Sequence, residues 1–74
     1  MTPAQLQRER EAIGKRLKDQ RIKKGLTKEK LMNISKLHWN TINKIENGLP
    51  VYLDSIIIYR QSLKYKKNLH EKTN

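Results

Sequence analysis

Residues 35–48, SKLHWNTINKIENG, divide cleanly when the stretch after His38 is wound as a helix. With successive side chains turned by about 100°, Ile42 and Ile45 share one side, and Asn40, Asn43, Lys44 and Asn47 fall within an arc of about 100° on the other. One face is built to be buried and the other to meet polar partners. Asn carries a donor and an acceptor that match an adenine edge. Lys can donate to guanine or to a phosphate, and a helix fits the major groove of a duplex. The same face also suits plain solvation, so the rest of the chain has to decide.

Outward from this stretch, the punctuation is that of short helices. Asn47-Gly48 closes the helix and Pro50 discourages its continuation. On the other side, Thr27 is an N-cap candidate for a helix through Leu31 and Met32 to about Ser35, with Lys36 as the turn and Leu37 reaching inward. Leu37 and Ile42 stand where a hydrophobic staple would place them if His38 is the cap. At the start of the chain, Thr2, Pro3 and Gln5 form a capping-box signal. Leu6, Ile13, Leu17 and Arg21 then follow at seven- and four-residue steps, so they are expected along one stripe. Gly14 weakens the middle of this helix, and Lys23-Lys24-Gly25 ends it. Residues 51–59, VYLDSIIIY, favour a strand by local propensity, but a lone strand would lack a partner. A last helix is expected instead, with Leu53, Ile56, Ile57 and Leu63 inward, Ile58, Tyr65 and Leu69 opposite, and fraying after Leu69.

The chain has 74 residues, enough for one small domain with a marginal core. Seventeen Lys and Arg against seven Asp and Glu give a net charge of +10, which favours polyanionic partners. There is no Cys, hence no disulfide framework or thiolate metal site. The two His, at 38 and 70, make a metal site unexpected, and no cofactor is expected. No nucleophile–base arrangement and no phosphate-cradling glycine loop is visible, so an enzyme is not expected. The longest apolar run is Ile56-Ile57-Ile58 and the first ten residues lack the apolar stretch of a signal peptide, so neither secretion nor a membrane span is expected.

A short helix, a tight turn with one inward apolar residue, and a second short helix ending in Glu-Asn-Gly make a helix-turn-helix pattern. Around it stand Ile13-Gly14, Leu17, Arg21, Gly25-Leu26-Thr27, Leu31, Leu37, Thr41-Ile42, Ile45-Glu46-Asn47-Gly48, and Leu53 with Ile56 and Leu63. Together, residues 13–63 resemble the lambda-repressor-like (Cro/repressor, XRE) DNA-binding family over about two-thirds of the chain. The resemblance implies an all-α, compact four- or five-helix domain at 13–65, flanked by an N-terminal helical extension at 1–12 and a basic tail at 66–74. It implies base reading by Trp39, Asn40, Thr41, Asn43 and Lys44, and phosphate contacts from Thr27, Lys28, His38 and Asn47. Arg21 and Glu46 match a buried ion pair. The sequence departs from the family at Lys36, where the turn usually has Gly, at Met32, where a small Ala is usual, and at Trp39.

Lys28 adds an argument of its own, because a cation in the first turn of a helix opposes the macrodipole by a few tenths of a kcal/mol. A phosphate would supply the missing negative charge. The expected function is a cytoplasmic, nucleoid-associated transcriptional regulator, acting as a repressor by occupying double-stranded DNA as a homodimer through Ile58, Tyr65 and Leu69. Any signal is expected through a partner protein, a toxin or a regulator, or through the amount of protein; the alternatives are an antitoxin that binds a toxin and represses its own gene, and a small RNA-binding protein. For the last, one Trp and three Tyr are few aromatics for base stacking.

Overall fold

In the computed structural model, residues 1–72 are described, with side chains as far as Lys64. They form four helices and no strand: α1 Pro3–Lys23, α2 Lys28–Ser35, α3 Trp39–Glu46 and α4 Leu53–Lys72. Each start follows from local chemistry. Thr2 and Gln5 exchange side-chain-to-backbone bonds of 2.8 and 3.2 Å, closing the capping box with Pro3 in the first turn. The Thr27 hydroxyl accepts from the Lys30 N–H at 3.1 Å, and His38 Nδ1 accepts from the Asn40 N–H at 3.1 Å. His38 is a weak capping residue by type, yet it fills that role here.

The ends of α1 and α3 share one device. Leu26 N–H reaches back to Arg21 C=O and Gly25 N–H to Ile22 C=O, while Leu49 N–H reaches Lys44 C=O and Gly48 N–H reaches Ile45 C=O. These paired bonds are Schellman motifs, which require a left-handed residue and take glycine at φ 73° and 75°. The end of α2 has no such glycine. Lys36 adopts φ 66° and ψ 13° itself, a conformation that costs a side-chain-bearing residue about 1 kcal/mol.

Leu17, Leu26, Leu31, Ile42, Ile45, Tyr59 and Leu63 make one buried cluster, with Met32, Ile34, Leu37, Val51 and Ile56 packed on its edge. Every helix contributes to it, and Leu37 lies on the cluster that contains Ile42, as the staple requires. α1 does not break at Gly14. That residue is buried where α1 crosses the end of α3, and a methyl group there would collide with the Ile45 carbonyl oxygen and meet the Glu46 carbonyl carbon at 3.1 Å. Glycine is present because two backbones approach closely, as they do again at Gly48, where a Cβ would lie 2.8 Å from Glu11 Cα.

Three sequence expectations are corrected. Leu6 and Ile13 do not line the core: they are 48% and 40% exposed, because α1 packs inward through Gly14, Leu17 and Arg21. On α4, Leu53 and Ile57 are 69% and 44% exposed, whereas Tyr59 is wholly buried. The inward face, Tyr59 with Ser62 and Leu63, is turned roughly 100° from the expected stripe. Finally, α4 continues to Lys72, beyond the fraying expected at Leu69. The four helices of the described residues are one of the two counts expected.

Candidate nucleic-acid interface

The inner half of the site is a buried polar junction. Arg21 Nε donates to Glu46 Oε2 at 2.8 Å and Nη2 to Oε1 at 3.4 Å, while Nη1 donates to the Leu26 carbonyl at 2.7 Å. The Tyr59 hydroxyl donates to the same Glu46 Oε2 at 2.6 Å. The Glu46 carboxylate therefore ties α3 to α1 and α4, and the Arg21 guanidinium extends the junction to the loop after α1. The expected Arg21–Glu46 pair is present and buried. Burial opposes the Arg21 charge, but the hydrogen bonds and attraction of Glu46 outweigh it and hold the guanidinium above its ordinary pKa. Burial, reinforced by the hydrogen bond and charge of Glu46, pushes the Tyr59 hydroxyl well above the ordinary tyrosine range, so it stays a donor. No buried side-chain nitrogen or oxygen among the described residues lacks a partner.

The outer half is open. Asn40, Lys44 and Asn47 are exposed, and Thr41 and Asn43 are half-buried at the margins. Trp39, at the start of α3, is 51% exposed and is not among the side chains packed on the core. Opposite them on the same helix, Ile42, Ile45 and Glu46 are buried. The division read from the sequence is thus the division α3 adopts.

Of the four residues expected to hold phosphates, Thr27 and His38 are exposed and each accepts one backbone bond as a cap. Asn47 is the exposed C-cap of α3. Lys28 differs from the expectation in one respect: its ammonium donates to Asn43 Oδ1 at 2.7 Å. The unfavourable cation at the start of α2 is therefore offset from within the fold, by α3, and a phosphate is not needed to explain it. The pair leaves two ammonium protons and the Asn43 amide protons still able to donate.

The dimer residues fare unequally. Ile58 is 40% exposed and lines a shallow hollow of about 490 Å³ with Ile34 and Ile57, but the turn of α4 puts it beside the buried face and not opposite it. The side chains of Tyr65 and Leu69 lie outside the described residues.

Two residues escaped the sequence reading. Tyr59 sat in a run of isoleucines that offered apolar side chains at any register. Its signal was the Arg21–Glu46 pair itself, since a buried carboxylate has lone pairs for more than one donor. Tyr52, 86% exposed between α3 and α4, borders a hollow of about 390 Å³ with Thr41, Lys44 and Pro50. A large aromatic just after Pro50 was its signal.

Among the described residues, no helix is long and apolar enough to cross a membrane. No protein-family model, no curated protein and no solved structure matches the chain.

Proposed function

We propose that this protein is a sequence-specific double-stranded DNA-binding transcriptional regulator, in which α2 and α3 act as a helix-turn-helix. The observation that carries the reading is the division of α3. Its inner side chains are immobilised by the core and by the Arg21–Glu46–Tyr59 junction, while Asn40, Lys44 and Trp39 stand free on the outside of a chain of net charge +10. A reading helix needs both properties, because base discrimination depends on donors and acceptors held in a fixed register.

In this reading α3 enters the major groove, Asn40 and Lys44 address base edges, and Trp39 and Thr41 contact thymine methyls or sugars at the margin. Lys28, His38, Thr27 and Asn47 flank the groove and bind backbone oxygens, with Asn43 setting the direction of the Lys28 ammonium. Tyr52 adds a contact beyond the end of α3. Binding at a promoter excludes polymerase, so repression by occupancy is the simplest outcome, and DNA binding places the protein on the nucleoid in the cytoplasm.

Selection from a randomised duplex library tests the function. A recurrent motif is expected, and a pool recovered without sequence preference, or recovery of RNA in its place, would overturn it. A homodimer would place two α3 helices one helical turn of DNA apart on an inverted repeat. Ile58→Asp should give monomers by sedimentation and weaken binding by roughly a hundredfold or more, because the second half-site is lost. An unchanged sedimentation profile would rule out this interface.

A further inference from the structure

A broad hollow lies away from α3. α1 and α4 enclose a groove of about 920 Å³ whose floor is apolar, formed by Ile13, Leu17, Leu53, Ile56 and Leu63. Its walls are cationic: Arg16 and Lys23 stand on the α1 side, and Arg60 and Lys64 on the α4 side. Among the described residues, none of these four is engaged in an ion pair and no carboxylate lines the groove. Asp19 borders a separate hollow with Lys15, Arg16 and Lys23.

We infer that this groove receives an acidic amphipathic helix of a partner protein. The floor identifies the occupant's apolar stripe. Leu53 at 69% and Ile13 at 40% exposure leave apolar surface that a phosphate backbone would not cover, and that surface matches a helix with large apolar residues at i, i+3 or i+4, and i+7. The walls identify its flanks. Cations from α1 on one side and α4 on the other accept Asp and Glu on both sides of the stripe, and they repel a basic occupant. A second copy of this chain, at net charge +10, is disfavoured on that ground, as is its own basic segment KYKKNLHEKTN. From Ile13 to Lys24 the groove follows about three turns of α1, so about 12 residues of the partner would fill it. No residue of α3 lines it. The partner can therefore engage while the outer face of α3 is free, and the site stands whether or not that face reads DNA.

The test uses the full chain, isotopically labelled, titrated with a designed peptide of about 14 residues carrying Leu at i, i+3 and i+7 and Glu on both flanks. Its controls are the same composition scrambled, the same stripe with Lys flanks, and vesicles of anionic lipid. Amide shifts should be confined to residues 13–24 and 53–64. The double reversal Arg60→Glu with Lys64→Glu should weaken the Glu-flanked peptide by roughly tenfold or more and improve the Lys-flanked one. All these wall residues are exposed, so circular dichroism should be unchanged; Leu53→Ser supplies an independent variant that removes floor and not charge, and it too should weaken binding. The inference is overturned if the scrambled peptide binds as well, if shifts gather on α3, if no peptide binds at about 1 mM, a concentration that ordinary groove contacts would saturate, or if only the vesicles occupy the groove.

Discussion

The two faces of α3 lie on eight residues and have opposite relations to the rest of the molecule. Ile42, Ile45 and Glu46 are buried and fully partnered, and Glu46 alone joins three helices. Asn40 and Lys44, on the same two turns, are exposed and bear no part of the core. The contrast separates what makes the helix rigid from what it presents. A change on the inner face acts through the fold, and a change on the outer face should act only on what is bound.

The largest break in this contrast comes from Glu46→Ala, which strands the Arg21 guanidinium in the interior. It should cost about 3–5 kcal/mol, most of the stability of so small a domain. Thermal denaturation checks it, and a melting point within a degree or two of wild type would show the junction to be dispensable. Gly14→Ala comes next. The added methyl meets the Ile45 carbonyl and the end of α3, neither of which is a flexible side-chain tip, so roughly 3 kcal/mol is expected from overpacking. If this variant melts like wild type, the backbones of α1 and α3 do not meet at Gly14.

Tyr59→Phe sharpens the comparison with pH. It should cost about 2 kcal/mol near neutrality, the value of a hydrogen bond to a charged acceptor. The folded-state pKa of Tyr59 is raised above its unfolded value near 10. Its contribution is therefore complete below about pH 10 and declines as pH rises further, because the unfolded state ionises first, by about 1.4 kcal/mol per pH unit. Denaturant unfolding of the two proteins between about pH 8 and 11.5 should show the gap closing only at the alkaline end. A constant gap would mean that the hydroxyl is not buried against Glu46.

Much of this arrangement was legible because it is local. Thr2 with Gln5, Thr27, His38, Lys24-Gly25 and Asn47-Gly48 announce helix ends within three or four residues, and the faces of α3 follow from spacing alone. Lys36 was legible as a turn by its position between two helices, despite its type. The register of α4 was not legible, since Ile56-Ile57-Ile58 supplies an apolar residue on almost any side and propensity does not choose. The choice is made 13 residues away, by a carboxylate that draws the Tyr59 hydroxyl inward and rotates Leu53 and Ile57 out. Leu6 misled for a related reason: periodicity marks a stripe, but not how far along α1 the neighbouring helix reaches. At the outer face, the Lys28–Asn43 bond joins residues 15 apart through tertiary structure, so the cation at the start of α2 suggested a ligand before its partner within the chain was visible.

The outer face of α3 is tested most directly by titrating wild type, Asn40→Ala, Lys44→Ala and Lys28→Ala against a randomised duplex library at several salt concentrations. Wild type, Asn40→Ala and Lys44→Ala should melt within about 0.5 kcal/mol of one another, as exposed substitutions do, while Lys28→Ala, which loses its bond to Asn43, should cost about 1 kcal/mol. Asn40→Ala and Lys44→Ala should each lose about 1–3 kcal/mol on the preferred duplex and relax the preference at particular base pairs. Lys28→Ala should weaken every duplex alike and lower the salt slope by about one ion for each phosphate that its ammonium no longer neutralises. The account is contradicted if Asn40→Ala and Lys44→Ala keep the wild-type preference, or if all four proteins bind every sequence equally.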